Sequence, residues 1–205
     1  MIVGFLHVGA DISLARKMVR NVRRYMQNAV IVHMTDRATP IIAETARREL
    51  PYDGEHLMTY RMDHLAQLPD SDLLVLDTDV LVQTDLGEVF SAPFDAALTK
   101  RKGRILYGGK DIVESMPYNT GVMFSRKRAF WQECASLCRQ MPDDLQRWWG
   151  DQLAVKAVAD SRRFKIVELP CEQFNYTPKS QDEDVSVKYA VHYKGPQRKE
   201  WMNGA

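Results

Sequence analysis

Four consecutive apolar residues, Leu73, Leu74, Val75 and Leu76, run directly into Asp77-Thr78-Asp79, after which Val80, Leu81 and Val82 are apolar again. Successive side chains of an extended segment point to opposite faces, so a run that is apolar at every position must be covered on both sides. That is the signature of a central strand in a largely parallel sheet flanked by helices. Residues 2–8 and 29–34 are two more short apolar runs, separated by a stretch with helical spacing. This alternation is the pattern of a parallel sheet packed between helices.

Between those runs Leu14, Met18, Val22 and Tyr25 or Met26 recur at helical intervals behind Asp11 or Ser13, either of which can cap the helix. Its other face carries Arg16, Lys17, Arg20, Arg23 and Arg24 and reads as solvated. Thr39 followed by Pro40 has the form of an N-cap with proline at the first helical position, predicting a helix to about residue 50. Residues 57–60 predict a third strand and residues 62–68 a short helix stopped by Pro69, so four parallel strands precede residue 77. Beyond it the alternation breaks down. Strands are expected at 94–98, 105–107, 122–125, 165–169 and 187–192, with helices at 127–141 and 151–159. The chain has 205 residues and no linker-like or repeated tract. It therefore reads as one α/β domain, with a Rossmann-like half over about 1–82 and a mixed-sheet half over about 83–205.

Lysine plus arginine total 28 against 27 for aspartate plus glutamate, which removes the bulk electrostatic argument for a nucleic-acid or membrane-surface protein. The apolar runs are far shorter than the roughly 18 residues of a membrane span. Three cysteines are too few for a disulfide scaffold, and no charged leader precedes the first apolar run. The expected location is cytoplasmic.

Asp77 and Asp79 are alternate residues of an extended segment and can aim both carboxylates at one point, where like charges require a cation or a proton. A divalent metal at the carboxyl end of a strand could bridge to phosphate oxygens. The plainer alternative is a strand-ending turn in which Asp79 caps the next segment. His192 ends another strand and leads into a glycine turn at Gly195 with Lys194, Arg198 and Lys199 around it, a cradle suited to a diphosphate. One imidazole beside two carboxylates tilts the metal preference from Mg2+ toward Mn2+, with both open.

Tyr60-Arg61, the stretch 70–82, Asn119-Thr120-Gly121-Val122-Met123-Phe124, Gly150-Asp151-Gln152 and the stretch 192–201 occur in an order that resembles the motifs of GT-A-fold glycosyltransferases, family 8 in particular. The resemblance spans roughly residues 57–201. It implies a GT-A-like fold and transfer of a sugar from a nucleotide-diphosphate donor, with UDP-hexose expected, to a glycan, lipid-linked or protein acceptor. Retention at the anomeric carbon is implied by family 8. The resemblance also implies that Asp77, Asp79 and His192 hold Mn2+ or Mg2+, and that Arg61 contacts the donor diphosphate or sugar. Asn119, Thr120 and Gly121 would line the donor-sugar and acceptor pocket, Asp151 would hold the donor sugar, and Gln152 would face its reactive carbon. Gly195 and a cation after it would close on the diphosphate. The family pattern has lysine three residues after the glycine and then Pro-Trp, whereas here Arg198, Lys199 and Glu200 precede Trp201, so Arg198 or Lys199 supplies that contact. Thr78, Asp11 and Asp36 are nucleotide-side candidates, the last two equally explained by capping and turn formation.

Rival readings remain. A haloacid-dehalogenase-like phosphatase also uses an acid pair after an apolar strand, but normally near the start of its core, and Asp143-Asp144 is expected in a loop. A nucleotidyltransferase is disfavoured because no glycine-rich loop comes after residues 2–8. A non-catalytic sugar-nucleotide or glycan binder on the same fold is the third. Trp148, Trp149 and Trp201 could stack on a sugar or simply pack.

Overall fold

The computed structural model describes residues 1–107 and 109–204. In chain order the first elements are β1 (Ile2–Leu6), α1 (Ser13–Tyr25), β2 (Val30–Thr35), β3 (Ala46–Glu49), α2 (Leu57–Leu65), β4 (Leu73–Leu76) and β5 (Val80–Val82). A 3-10 turn at Gly87–Ser91 leads to β6 (Ala96–Lys100), β7 (Leu106–Tyr107), β8 (Lys110–Asp111), β9 (Tyr118–Ser125) and α3 (Arg128–Arg139). The chain continues through α4 (Asp143–Arg147), α5 (Gly150–Asp160), β10 (Ile166–Pro170), α6 (Cys171–Phe174), β11 (Ala190–His192) and α7 (Pro196–Gly204).

Seven strands form the main sheet in the order β10-β6-β9-β4-β1-β2-β3. All neighbouring pairs are parallel except the two made by β9, which runs antiparallel between β4 and β6. The apolar run of β4 is divided by the pleat: Leu74 and Leu76 join the core under α1, while Leu73 and Val75 join the core beneath α2, α3 and α5. All four are buried. This is the two-faced burial that the unbroken run demands.

Four parallel strands do precede residue 77, but the third is Ala46–Glu49, not residues 57–60. Ala46–Glu49 pairs only with β2 at the sheet edge, so it is half solvated and carries no apolar run to announce it. The helix expected from Thr39 does not form. Thr39 Oγ1 accepts from Gly9 N at 2.9 Å and donates to Asp36 Oδ1 at 2.6 Å, and the Arg47 guanidinium donates to Asp36 O at 2.6 Å and Thr39 O at 2.7 Å. These contacts knit residues 36–45 into a loop. Residues 57–60 open α2 instead, a helix buried at Met58, Thr59, Tyr60, Arg61, Met62, His64 and Leu65. A helix covered on nearly every side has no one-sided pattern for a sequence to display.

Smaller differences have the same kind of cause. The residue flanking α1 is Ile12, and Asp11 forms a turn instead, accepting from Ser13 N at 3.0 Å. On the basic face of α1, Arg16, Arg20 and Arg24 are exposed, whereas Arg23 is structural, donating to Ala29 O at 2.6 Å and Glu44 O at 2.9 Å. Asp143-Asp144 opens the short helix α4. No helix among the described residues is long and apolar enough to cross a membrane.

Candidate metal and diphosphate site

β4 stops at Leu76, and Asp77 is held there by its own N–H, which donates to Gly121 O at 2.9 Å. The chain turns at the carboxyl end of β4 through Thr78 and Asp79 and forms β5, which pairs antiparallel with β11 so that Val80 lies opposite His192. Tyr193 N donates to Asp79 O at 2.8 Å and locks the register. A small second sheet thus carries the imidazole to two acids more than a hundred positions earlier in the chain. His192 Nε2 lies 3.0 Å from Asp79 Oδ1 and 3.6 Å from Asp77 Oδ2. One ligand atom from each of the three residues falls within 4.8 Å of the others.

The surroundings are charged and buried. Arg61, only 5% exposed, reaches from α2 to Asp77 Oδ1 at 2.8 Å, Asp151 Oδ2 at 2.9 Å and Thr120 O at 2.8 Å. Thr120 Oγ1 donates to Asp151 Oδ2 at 2.8 Å, and Gln152 N donates to Asp151 Oδ1 at 2.8 Å, so both oxygens of that acid are engaged. Lys199 Nζ sits 3.4 Å from Asp79 Oδ2. Burial raises the Asp77 carboxyl above its ordinary range despite Arg61 and His192. Burial also acts on Asp79, but there the His192 hydrogen bond and charge, with Lys199, hold the carboxyl below its ordinary range. Desolvation, reinforced by Arg101, depresses the Lys194 ammonium to about 8.

Two carboxylates and one imidazole nitrogen converging at these distances form an oxygen-rich donor set with a single nitrogen, which fits Mn2+ or Mg2+. A second group, Glu55, His56 and Asp143, lies at the surface, where Arg147 already pairs with Glu55 and Asp143 at 2.7 Å each.

A cleft of about 540 Å³ opens onto the buried cluster. Arg61, Asp77, Thr78, Asp79, Asn119, Thr120, Asp151, Gln152, His192, Gly195 and Lys199 all line it. Gly121 lies behind His192, where a Cβ would come within 3.1 Å of Asp77 Oδ2. Arg198 is turned aside: its Nε donates to Pro178 O at 2.7 Å and its guanidinium lies 5.7 Å over the Trp201 ring. Asp11 and Asp36 do not line the cleft. Asp36 borders a different hollow with Leu50 and Tyr52, and its Oδ1 is taken by Thr39.

Sequence reasoning missed Arg101 and Asn175. Arg101 stands in a Lys-Arg-Lys run that resembles a solvated charge cluster, yet it donates to Gln152 Oε1 at 2.6 Å. Asn175 has no periodic or motif signal and accepts from His192 Nδ1 at 2.8 Å. Trp148, 59% exposed, and Trp149 form part of the cleft rim, whereas Trp201 packs against the core.

The architecture matches solved glycosyltransferases. A glycosyltransferase involved in the glycosylation of the major capsid of PBCV-1 superposes with a TM-score of 0.72 at 18% identity, covering 100% of this chain and 98% of that one. GlyE of Streptococcus pneumoniae TIGR4 gives 0.68 at 13% identity, and this chain spans 60% of its length. The galactosyltransferase LgtC, solved with donor and acceptor sugar analogues, gives 0.62 at 10% identity over 96% of its length. At such identities the likeness is one of fold, and the fold is GT-A-like. No protein-family model matches the chain, and no curated protein matches it in sequence.

Proposed function

We propose that this protein is a metal-dependent glycosyltransferase that moves a hexose from a UDP-linked donor to an acceptor hydroxyl, retaining the anomeric configuration. The observation that carries the reading is the convergence of Asp77, Asp79 and His192 within 4.8 Å in a cleft that Lys194 and Lys199 also line. Divalent metal held by these three residues supplies Lewis-acid stabilisation of the charge that builds on the departing diphosphate, worth several kcal/mol.

The chain's own residues do the remainder. Lys199 and Lys194 bring positive charge to the same region, and Gly195, with φ 83, lets the turn between them close. Arg61 orients Asp77 and Asp151 together. Asp151, held by Arg61 and Thr120 at Oδ2 and by Gln152 N at Oδ1, is fixed in the cleft wall where it can orient a sugar hydroxyl. Because Arg101 occupies Gln152 Oε1, the amide offers its NH2 group to the cleft. Retention needs no strong enzymic base, since the departing diphosphate oxygen can take the acceptor's proton.

Calorimetric titration of UDP and GDP, with Mn2+ or with chelator, tests the reading. Manganese-dependent UDP binding that Asp79→Ala abolishes is expected; affinity indifferent to both chelator and substitution overturns it. Release of free UDP from UDP-hexoses separates an enzyme from a binder. Hydrolysis of p-nitrophenyl phosphate would favour the phosphatase.

A further inference from the structure

We infer that Asn175 is a positioning residue that holds His192 as the Nδ1–H tautomer, so that Nε2 presents a lone pair to the space shared with Asp77 and Asp79. The assignment comes from hydrogen-bond accounting around the Asn175 amide. Its Nδ2 lies 2.8 Å from Thr99 Oγ1 and 3.1 Å from the Asn119 carbonyl. That carbonyl can only accept, and the single Thr99 hydroxyl proton is spent on the same carbonyl at 2.7 Å or on Val122 O at 3.1 Å. The Asn175 atom facing both must therefore be the donor. Oδ1 then faces His192 Nδ1 at 2.8 Å, and that ring nitrogen must carry the hydrogen.

The network has little freedom to rearrange. Asn175 is 2% exposed, Thr99 0%, Asn119 5% and His192 3%, so turning the amide over would set oxygen against oxygen with no water to compensate. The backbone is pinned as well: His192 N donates to Tyr176 O at 2.6 Å, and Tyr176 N donates to Ala190 O at 3.0 Å. Beside two carboxylates an unconstrained neutral imidazole would put its hydrogen on Nε2 and donate it to them. Asn175 opposes that arrangement, so in the neutral ring Nε2 and the two carboxylates are three acceptors facing one another. A cation satisfies the set, either a proton on Nε2, which makes the 3.0 Å contact with Asp79 Oδ1 a charged hydrogen bond, or a metal ion in its place. Asn119 lies on β9, and its Oδ1 accepts from Gly121 N of the same strand at 3.1 Å.

The functional meaning rests on the proposed metal site; the tautomer does not. Nitrogen-15 spectra of imidazole-labelled, metal-free protein at alkaline pH, with His192 assigned through a His192→Gln variant, report which ring nitrogen carries the hydrogen. Wild type should give Nδ1–H. Asn175→Leu should give Nε2–H, whereas Asn175→Asp, which keeps the acceptor for Nδ1 but sets its second oxygen against the Asn119 carbonyl, should keep Nδ1–H at lower stability. In parallel, Mn2+ titration in the presence of UDP should show affinity falling roughly 10-fold to 100-fold in Asn175→Leu and largely preserved in Asn175→Asp. An Nε2–H wild type overturns the inference, as does an Asn175→Leu variant with unchanged tautomer or unchanged Mn2+ affinity. If Asn175→Leu does not fold, the wild-type spectrum decides. A wild type that has the Nδ1–H tautomer but binds no Mn2+ refutes the metal reading and leaves the tautomer assignment standing.

Discussion

A Cβ added at Gly121 would lie 2.2 Å from Cε1 and 2.3 Å from Nδ1 of His192, so β9 passes the imidazole with only bare backbone between them. Real side-chain contacts are not that short, and the ring cannot retreat without leaving Asn175. Gly121→Ala is expected to lower thermal stability by a few degrees, in keeping with the roughly 1–3 kcal/mol of overpacking. It should weaken Mn2+-dependent UDP binding about tenfold or more. Differential scanning calorimetry and titration calorimetry check the two effects, and a variant unchanged in both would mean that the ring relaxes freely.

Arg61 ties α2 to both acids and to the backbone of Thr120 in one planar fork. A lysine cannot reproduce two parallel donors, so Arg61→Lys should lose donor binding while remaining folded. Arg61→Ala leaves Asp77 and Asp151 unpaired and should cost about 3–5 kcal/mol in urea unfolding. Equal behaviour of the two variants would argue against the fork as the relevant feature.

The two cations left open by the C-terminal motif have separate expected phenotypes. Lys199 approaches Asp79 inside the cleft, and Lys199→Ala should reduce UDP affinity about tenfold with little change in melting temperature. Arg198 braces the Pro178 carbonyl and the Trp201 ring, and Arg198→Ala should lower melting temperature while sparing UDP affinity. The reverse pattern would assign the phosphate contact to Arg198.

Two buried histidines away from the cleft predict acid sensitivity. Desolvation depresses His33 to about 4 and His64 to about 4, and neither nitrogen of His64 has a hydrogen-bond partner among the described residues. The unfolded chain binds protons at these residues near pH 6.5, well before the folded one. Stability is therefore full above about pH 6.5 and falls as pH drops toward 4, by on the order of 3 kcal/mol per histidine. Urea unfolding at pH 7.5, 6 and 5 measures the slope, and His64→Leu should flatten it. A pH-independent midpoint over that range would contradict the assignment.

Local chemistry alone was enough to read β4, the acid pair at its end, the amphipathic α1 and three of the four parallel strands before residue 77, because each depends on neighbours within one element. The third strand and α2 were misread for opposite reasons. Ala46–Glu49 is an edge strand without an apolar run, and α2 is buried on too many sides to show a period. The loop of residues 36–45 was hidden because a bond from Gly9, 30 positions away from Thr39, and two from Arg47 on β3 claim the groups that would otherwise open a helix.

The site divides along the same line. Residue types and order already named Asp77, Asp79 and His192, since a carboxylate pair after a buried strand is costly without a counter-charge. Three things belong to tertiary structure alone: the β5–β11 pairing that brings His192 to the acids, the choice of Lys199 over Arg198 as the cation in the cleft, and the Asn175 amide behind the imidazole. Each depends on groups far apart in the chain, and no spacing in a sequence records which distant carbonyl or amide will satisfy a buried polar atom.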